Sequence, residues 1–287
     1  MQLENGIIIP APGFGTCKLG NRTETMDKII LAAQCGYRHF DTASAYGNEE
    51  DVGKALRIIC GGICKREEMF IAGKLSNDDL FHVEDGYYAT FNAFNRTLER
   101  LQLDYIDLYL IHWPVPRDAE PYWRELNIST WDAMEELYHS GRIRAIGVSN
   151  FDKRHIDNIM LHSNIKPMVN QIEIQPAYQQ RPLIDYCKKN GICVEAWGPL
   201  KQGEVFQIEE LKEMSSRYGK TVSQLCLRFC IQLNTLPIVK CSNRERMIEN
   251  MDVFNWGITK EDMDIVYALD REDGRFKNYA YTRRDQC

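Results

Sequence analysis

The chain has 287 residues, enough for a full-sized core in one large barrel or in two smaller domains. Charged residues make up 26% and the formal net charge is -6, so no overall electrostatic attraction draws it to nucleic acid or to an anionic membrane surface. No apolar run approaches the roughly 20 residues of a membrane span, and MQLENGIIIP lacks the basic and apolar regions of a secretory signal, which makes the cytoplasm the default location.

LENGIII opens with two apolar runs around Asn5-Gly6, a two-residue hairpin signal that predicts a lid over the bottom of a core. APGFGTCKLG supplies a first strand near Ala11 to Gly15. Its Gly13-x-Gly15 lacks the third glycine and the acidic residue of a dinucleotide fingerprint. Helix and strand patterns then alternate. TETMDKIILAAQCG, opened by Thr23 and stopped by Gly36, precedes the strand YRHFD, and EEDVGKALRII precedes MFIAGK. EDGYYATFNAFNRTLERLQ precedes IDLYLIHW, STWDAMEELYHSG precedes IRAIGVSN, and KRHIDNIMLHS precedes PMVNQIEI. LIDYCKKNG leads to ICVEAWG, and EELKEMSSRYGKTVSQLCLRFCIQL, a helix pair broken near Gly219, leads to NTLPIVK.

Eight strand candidates, seven of them after helices, fit a closed (β/α)8 TIM barrel better than an open sheet. Residues 1–287 thus read as a single barrel domain with an N-terminal β-hairpin. Arg244 to Met251 and Lys260 to Asp270 are additional C-terminal helices, and Tyr279 to Cys287 is a polar tail at the mouth or free of it. Cys17, Cys35, Cys60, Cys64, Cys187, Cys193, Cys226, Cys230, Cys241 and Cys287 are dispersed, without a histidine or second cysteine pair at zinc-site spacing. They read as small hydrophobes or bystanders in a reducing compartment, and no metal is expected.

Three strand runs end in different polar residues: Asp41, Lys74 and His112, with Tyr46 in the loop after the first. A parallel barrel gathers strand ends at one rim. A phenol is a weak acid, and Lys74 can stabilise its anion while Asp41 holds Lys74. A neutral His112 can orient a substrate oxygen. The set can protonate an oxygen as hydride reaches its carbon, and the hydride must come from a cofactor. Singly, each residue has an ordinary alternative as a cap, wall, strand end or hydrogen-bonded core-edge residue.

The segments YRHFDTASAYGNEEDVGKAL, IAGKL, IDLYLIHWP, GRIRAIGVSNF, VNQIEIQP, VEAWGPL and RERMIENMDVF, in this order over almost the whole chain, strongly resemble the aldo-keto reductase superfamily. The resemblance implies that Asp41, Tyr46, Lys74 and His112 are the catalytic four, with Tyr46 the general acid for carbonyl reduction. It also implies that Ser149, Asn150 and Gln171 bond the nicotinamide carboxamide and that Trp197 stacks on the ring. Lys240 and Arg246 match positions that grip the adenosine 2'-phosphate, and Glu249 and Asn250 match residues around the adenine. NADPH is therefore the expected cofactor, with NADH as a second.

The family commonly carries Pro-Lys-Ser where this chain has Val239-Lys240-Cys241, which replaces a phosphate-binding hydroxyl by a weaker thiol donor. Cys17 and Ser76 stand at frequent tryptophan positions. Trp113 is retained, and Tyr122 and Trp123 in the loop Pro114 to Asn127 are candidate pocket walls, with local packing as their alternative. The expected activity is reduction of a small aldehyde, ketone or sugar-derived carbonyl by a monomer or weak oligomer. The alternatives are a catalytically inactive nicotinamide-binding regulatory subunit and, on fold grounds alone, a metal-dependent barrel hydrolase.

Overall fold

The structure is a computed structural model that describes residues 1–80, 83, 85–116 and 121–276. Eight strands, β1 (Gly13–Gly15), β2 (His39–Asp41), β3 (Phe70–Leu75), β4 (Leu108–Ile111), β5 (Ile146–Ser149), β6 (Val169–Glu173), β7 (Cys193–Trp197) and β8 (Leu236–Val239), close into a parallel barrel in sequence order. Around it run α1 (Arg22–Gln34), α2 (Glu49–Gly62), α3 (Gly86–Leu101), α4 (Trp123–His139), α5 (Lys153–His162), α6 (Arg181–Lys189), α7 (Glu209–Tyr218) and α8 (Val222–Gln232). α9 (Arg244–Met251) and α10 (Lys260–Ala268) follow the last strand.

The near-continuous apolar runs of the strands reflect burial on both faces. Phe70, Ala72, Leu108, Leu110, Val169, Leu236 and Ile238 form an inner core, while Ile71, Leu75, Tyr109, Ile111, Ile172 and Val239 pack outward against helices. The side-chain period of two thus carries the inward rows upward from apolar to polar: Phe70 and Ala72 lead to Lys74, and Val169 leads to Gln171. The N-terminal hairpin joins Gln2 and Ile8 in one antiparallel bridge and drops Leu3 and Ile9 into the bottom of the inner core. On β1, a Cβ at Gly13 would meet His39 Nδ1 at 2.8 Å, so that glycine makes room for an imidazole inside the barrel.

Local chemistry sets several boundaries. Asn21, not Thr23, caps α1, its Oδ1 accepting from the Glu24 amide at 3.1 Å. Gly219 ends α7 at φ +58, where a Cβ would be disfavoured, and the reciprocal Thr221–Gln224 capping box starts α8 two residues later. The largest departure is α4. It begins at Trp123, six residues before the STWDAMEELYHSG segment, because Trp123, Leu126, Asn127, Thr130, Trp131 and Met134 continue one buried stripe at helical spacing. The last five residues of the expected mouth loop, Trp123 to Asn127, are therefore helix. Tyr279 to Cys287 and residues 117–120 of that loop lie outside the described residues.

Candidate active site

The upper ends of β2, β3 and β4 bring the four polar residues together. Lys74, fully buried, places Nζ at 2.6 and 2.7 Å from the two Asp41 carboxylate oxygens. The same ammonium reaches the Thr42 carbonyl at 3.2 Å and the Tyr46 phenolic oxygen at 3.2 Å. Tyr46 ends a short 3-10 turn, Ser44–Tyr46, which Gly47 closes in the left-handed region at φ +66. His112, just beyond β4, meets the Tyr46 ring edge-on at 5.8 Å between centroids. Burial, reinforced by the nearby Lys74 charge, holds the His112 imidazole well below its ordinary pKa. A neutral imidazole and a lysine-bonded phenol therefore share one corner.

A second polar row adjoins it. Gln171 Nε2 donates to Asp41 Oδ2 and to Glu195 Oε2, both at 2.9 Å. Ser149 Oγ donates to the Gln171 carbonyl at 2.9 Å. Asn150, at φ +63, donates to Ser149 Oγ and to the His112 carbonyl, each at 3.0 Å. Trp197 Nε1 donates to Asn150 Oδ1 at 2.9 Å. The three carboxamide-binding candidates, Ser149, Asn150 and Gln171, and the ring-stacking candidate Trp197 are thus wired together and, through Gln171 and Asn150, to Asp41 and His112.

Lys240 and Arg246 are both exposed, Lys240 donating to the Lys18 carbonyl at 3.2 Å just past β8 and Arg246 lying in the first turn of α9. Glu249 accepts from the Thr221 hydroxyl. Asn250 is buried, its Oδ1 lacking a hydrogen-bond partner among the described residues. Cys241 packs into the outer core, and burial pushes its thiol up to about 11. It is a core residue and not a substitute for the phosphate-binding hydroxyl. The hydrogen-bonding side chains at Ser149, Asn150 and Gln171, and the exposed cations Lys240 and Arg246, fit a nicotinamide dinucleotide in kind.

Of the candidate walls, Trp113 is half-buried just beyond β4, Tyr122 is half-buried and packs against the outer core, and Trp123 is turned into the helix layer. Its indole packs edge-on against His155 of α5 at 4.8 Å and is 3% exposed, so the pocket reading gives way to the packing one for this residue. The sequence reading overlooked His39 and Glu195, which lie inside the barrel beneath Gln171, although a carboxylate between Val194 and Ala196 in a strand buried on both faces was a visible signal. It also overlooked Phe276, which stacks on Trp197 at 5.6 Å and donates its amide to both oxygens of Glu173 at 3.1 and 3.2 Å. No local pattern announces a contact across 103 residues.

Residues 13–271 match the family model described as the aldo/keto reductase family. The chain belongs to that family, whose members are oxidoreductases acting on carbonyl groups with nicotinamide cofactors. It is 42% identical over 273 residues to the glyoxal reductase of Bacillus subtilis, covering 95% of this chain and 93% of that protein. It is 37% identical over 275 residues to the 9,11-endoperoxide prostaglandin H2 reductase of Trypanosoma cruzi, covering 95% and 92%. Among solved structures it resembles a Bombyx mori aldo-keto reductase in complex with NADP, with a TM-score of 0.88 and 32% identity over 99% of this chain and 96% of the other. Among the described residues no helix is long and apolar enough to cross a membrane.

Proposed function

We propose that this protein reduces small aldehydes and ketones, vicinal dicarbonyls among them, with NADPH preferred over NADH and Tyr46 as proton donor. The observation that carries the reading is the Lys74 ammonium, which bonds both oxygens of Asp41 and the phenolic oxygen of Tyr46. A bound reduced nicotinamide supplies hydride to the carbonyl carbon. As the C=O electron pair moves to oxygen, Tyr46 gives that oxygen its phenolic proton, forming the alcohol and leaving a phenolate that solvent reprotonates. Lys74 donates to the phenolic oxygen at 3.2 Å, which lowers the cost of the phenolate left when the proton goes to the substrate. Asp41 keeps Lys74 in place. His112, held neutral, offers a ring N–H to the same substrate oxygen without competing as an acid.

Ser149, Asn150 and Gln171 would hold the carboxamide of a bound nicotinamide and Trp197 would stack on its ring, while Lys240 and Arg246 would pair with a 2'-phosphate. Dicarbonyls are favoured by the 42% identity to a protein named glyoxal reductase. Pocket breadth follows from Cys17 and Ser76 at positions where tryptophans would narrow it. Glyoxal, methylglyoxal and a panel of longer aldehydes and ketones, added to purified protein with NADPH and no metal, should each be scored for loss of NADPH absorbance. At least the small dicarbonyls should give substrate-dependent oxidation. Tight NADPH binding with no turnover across the panel would contradict the reading and favour a regulatory nicotinamide-binding role.

A further inference from the structure

Directly beneath the row that includes Gln171, the inside of the barrel holds a second carboxyl group that the proposed chemistry does not use. Glu195 of β7 is fully buried. Its Oε2 accepts from Gln171 Nε2 at 2.9 Å, and its Oε1 has no hydrogen-bond partner among the described residues, facing His39 Nε2 of β2 at 3.8 Å. The other hydrogen of the same Gln171 amide goes to Asp41 Oδ2 at 2.9 Å. One side-chain amide therefore bridges two carboxyl groups, and both of its N–H bonds are spent below the rim.

We propose that Glu195 is a positioning residue that fixes the direction of the Gln171 amide and sets the charge beneath the nicotinamide. With both hydrogens held, Gln171 can turn only its carbonyl oxygen toward a ligand, which selects the N–H2 edge of a primary carboxamide. The inference rests on the reading of Gln171 as a nicotinamide contact. Charge follows from the same arrangement. The groups facing Glu195 are Gln171, Asp41 and His39, with Lys74 beyond Asp41, Cys193 on its own strand and the Met1 amino group below. Lys74 is already matched by Asp41 at 2.6 Å, and the Met1 amine is held by the Ile9 carbonyl at 2.9 Å. An ionised Glu195 would be a second buried carboxylate without a partner cation, so the neutral acid is the resting form. Burial accordingly pushes the Glu195 carboxyl up to about 8 and holds the His39 imidazole down to about 4. Above that range the site gains a negative charge, which favours the cationic ring of NADP+ over the neutral ring of NADPH.

The test measures dissociation constants for NADP+ and NADPH at pH 6.5 and pH 9 in a Tyr46→Phe background, where the phenol cannot titrate. The NADPH-to-NADP+ preference should shift toward NADP+ by at least about threefold between the two pH values. In Tyr46→Phe/Glu195→Gln, the neutral isostere should remove the shift while retaining binding. A shift that persists in the double variant, or a preference independent of pH in the single one, overturns this inference alone. Failure of the single variant to bind either cofactor overturns it together with the nicotinamide reading. Carboxyl carbon NMR of the unliganded wild-type chain gives an answer if the double variant does not fold: Glu195 should titrate far above the ordinary glutamate value, and titration near 4.5 would refute the proposal.

Discussion

Lys74 has three hydrogens and four acceptors within 3.2 Å, so its ammonium is fully engaged and cannot swing away from Tyr46 without abandoning a buried carboxylate. Replacing Lys74 by Met should therefore do two things at once. It should abolish turnover, and by stranding the Asp41 charge it should cost roughly 3–5 kcal/mol in denaturant unfolding. Lys240 and Arg246 differ in being exposed, so their loss should leave folding unchanged. Lys240→Ala or Arg246→Ala should weaken NADPH by about 10- to 100-fold, as expected for lost charge-assisted hydrogen bonds, and NADH by less than about 2-fold. Equal losses for both cofactors, measured by fluorescence titration, would place the damage at the shared adenine or in the local fold. These residues could be read from the chain because each stands at a strand end or in a distinctive segment. Cys241 was legible only as a departure. That its thiol serves the core and not the rim follows from packing that no neighbouring residue announces.

At the scale of elements, the strands were the readable part, since burial on both faces leaves nearly unbroken apolar runs between turn residues. Helix beginnings were less so. The start of α4 was hidden because Pro121, Tyr122 and Trp123 look like loop residues singly, and only the stripe through Trp123, Leu126, Asn127, Thr130 and Trp131 shows that the helix has already begun. Trp123 then acts as a bolt between α4 and α5. Trp123→Ala should destabilise the protein by about 3–5 kcal/mol and leave kcat/KM for a small aldehyde within roughly threefold, as determined by thermal unfolding and steady-state rates. A large rise in KM with little loss of stability would restore Trp123 to the substrate pocket. The interior pair His39 and Glu195 was overlooked for a related reason: period-two alternation identifies the inward row, but not which inward residues from strands far apart in sequence will meet.

Among the described residues, Glu195, Glu173 and His39 are buried groups whose folded pKa values differ enough from their ordinary ones to show in stability between about pH 4 and 8. Burial raises Glu195 to about 8 and Glu173 to about 7 from 4.5, and lowers His39 to about 4 from 6.5. A raised carboxyl binds more protons folded than unfolded, so its contribution is full below the unfolded value and fades as pH climbs to the folded one. His39 works in the opposite sense, adding stability as pH rises from about 4 to 6.5 and nothing beyond. Above pH 6.5 the two glutamates act unopposed by it. The melting temperature should fall between pH 6.5 and 8, each group contributing at most about 1.4 kcal/mol per pH unit, and Glu195→Gln should flatten the fall. An unchanged slope in that variant would mean that Glu195 is ionised in the folded protein at neutral pH.

In the proposed reduction, the lysine-bonded phenol of Tyr46 delivers the proton that completes the alcohol. Tyr46→Phe keeps the ring and its edge-on contact with His112 and removes only the hydroxyl. Turnover of a small dicarbonyl and NADPH affinity, measured together on wild type and Tyr46→Phe, test the claim most directly. A fall in kcat of about 10²- to 10⁴-fold is expected, with NADPH affinity unchanged within about 2-fold. Near-normal kcat in Tyr46→Phe with intact NADPH binding would contradict it and assign the proton to another group.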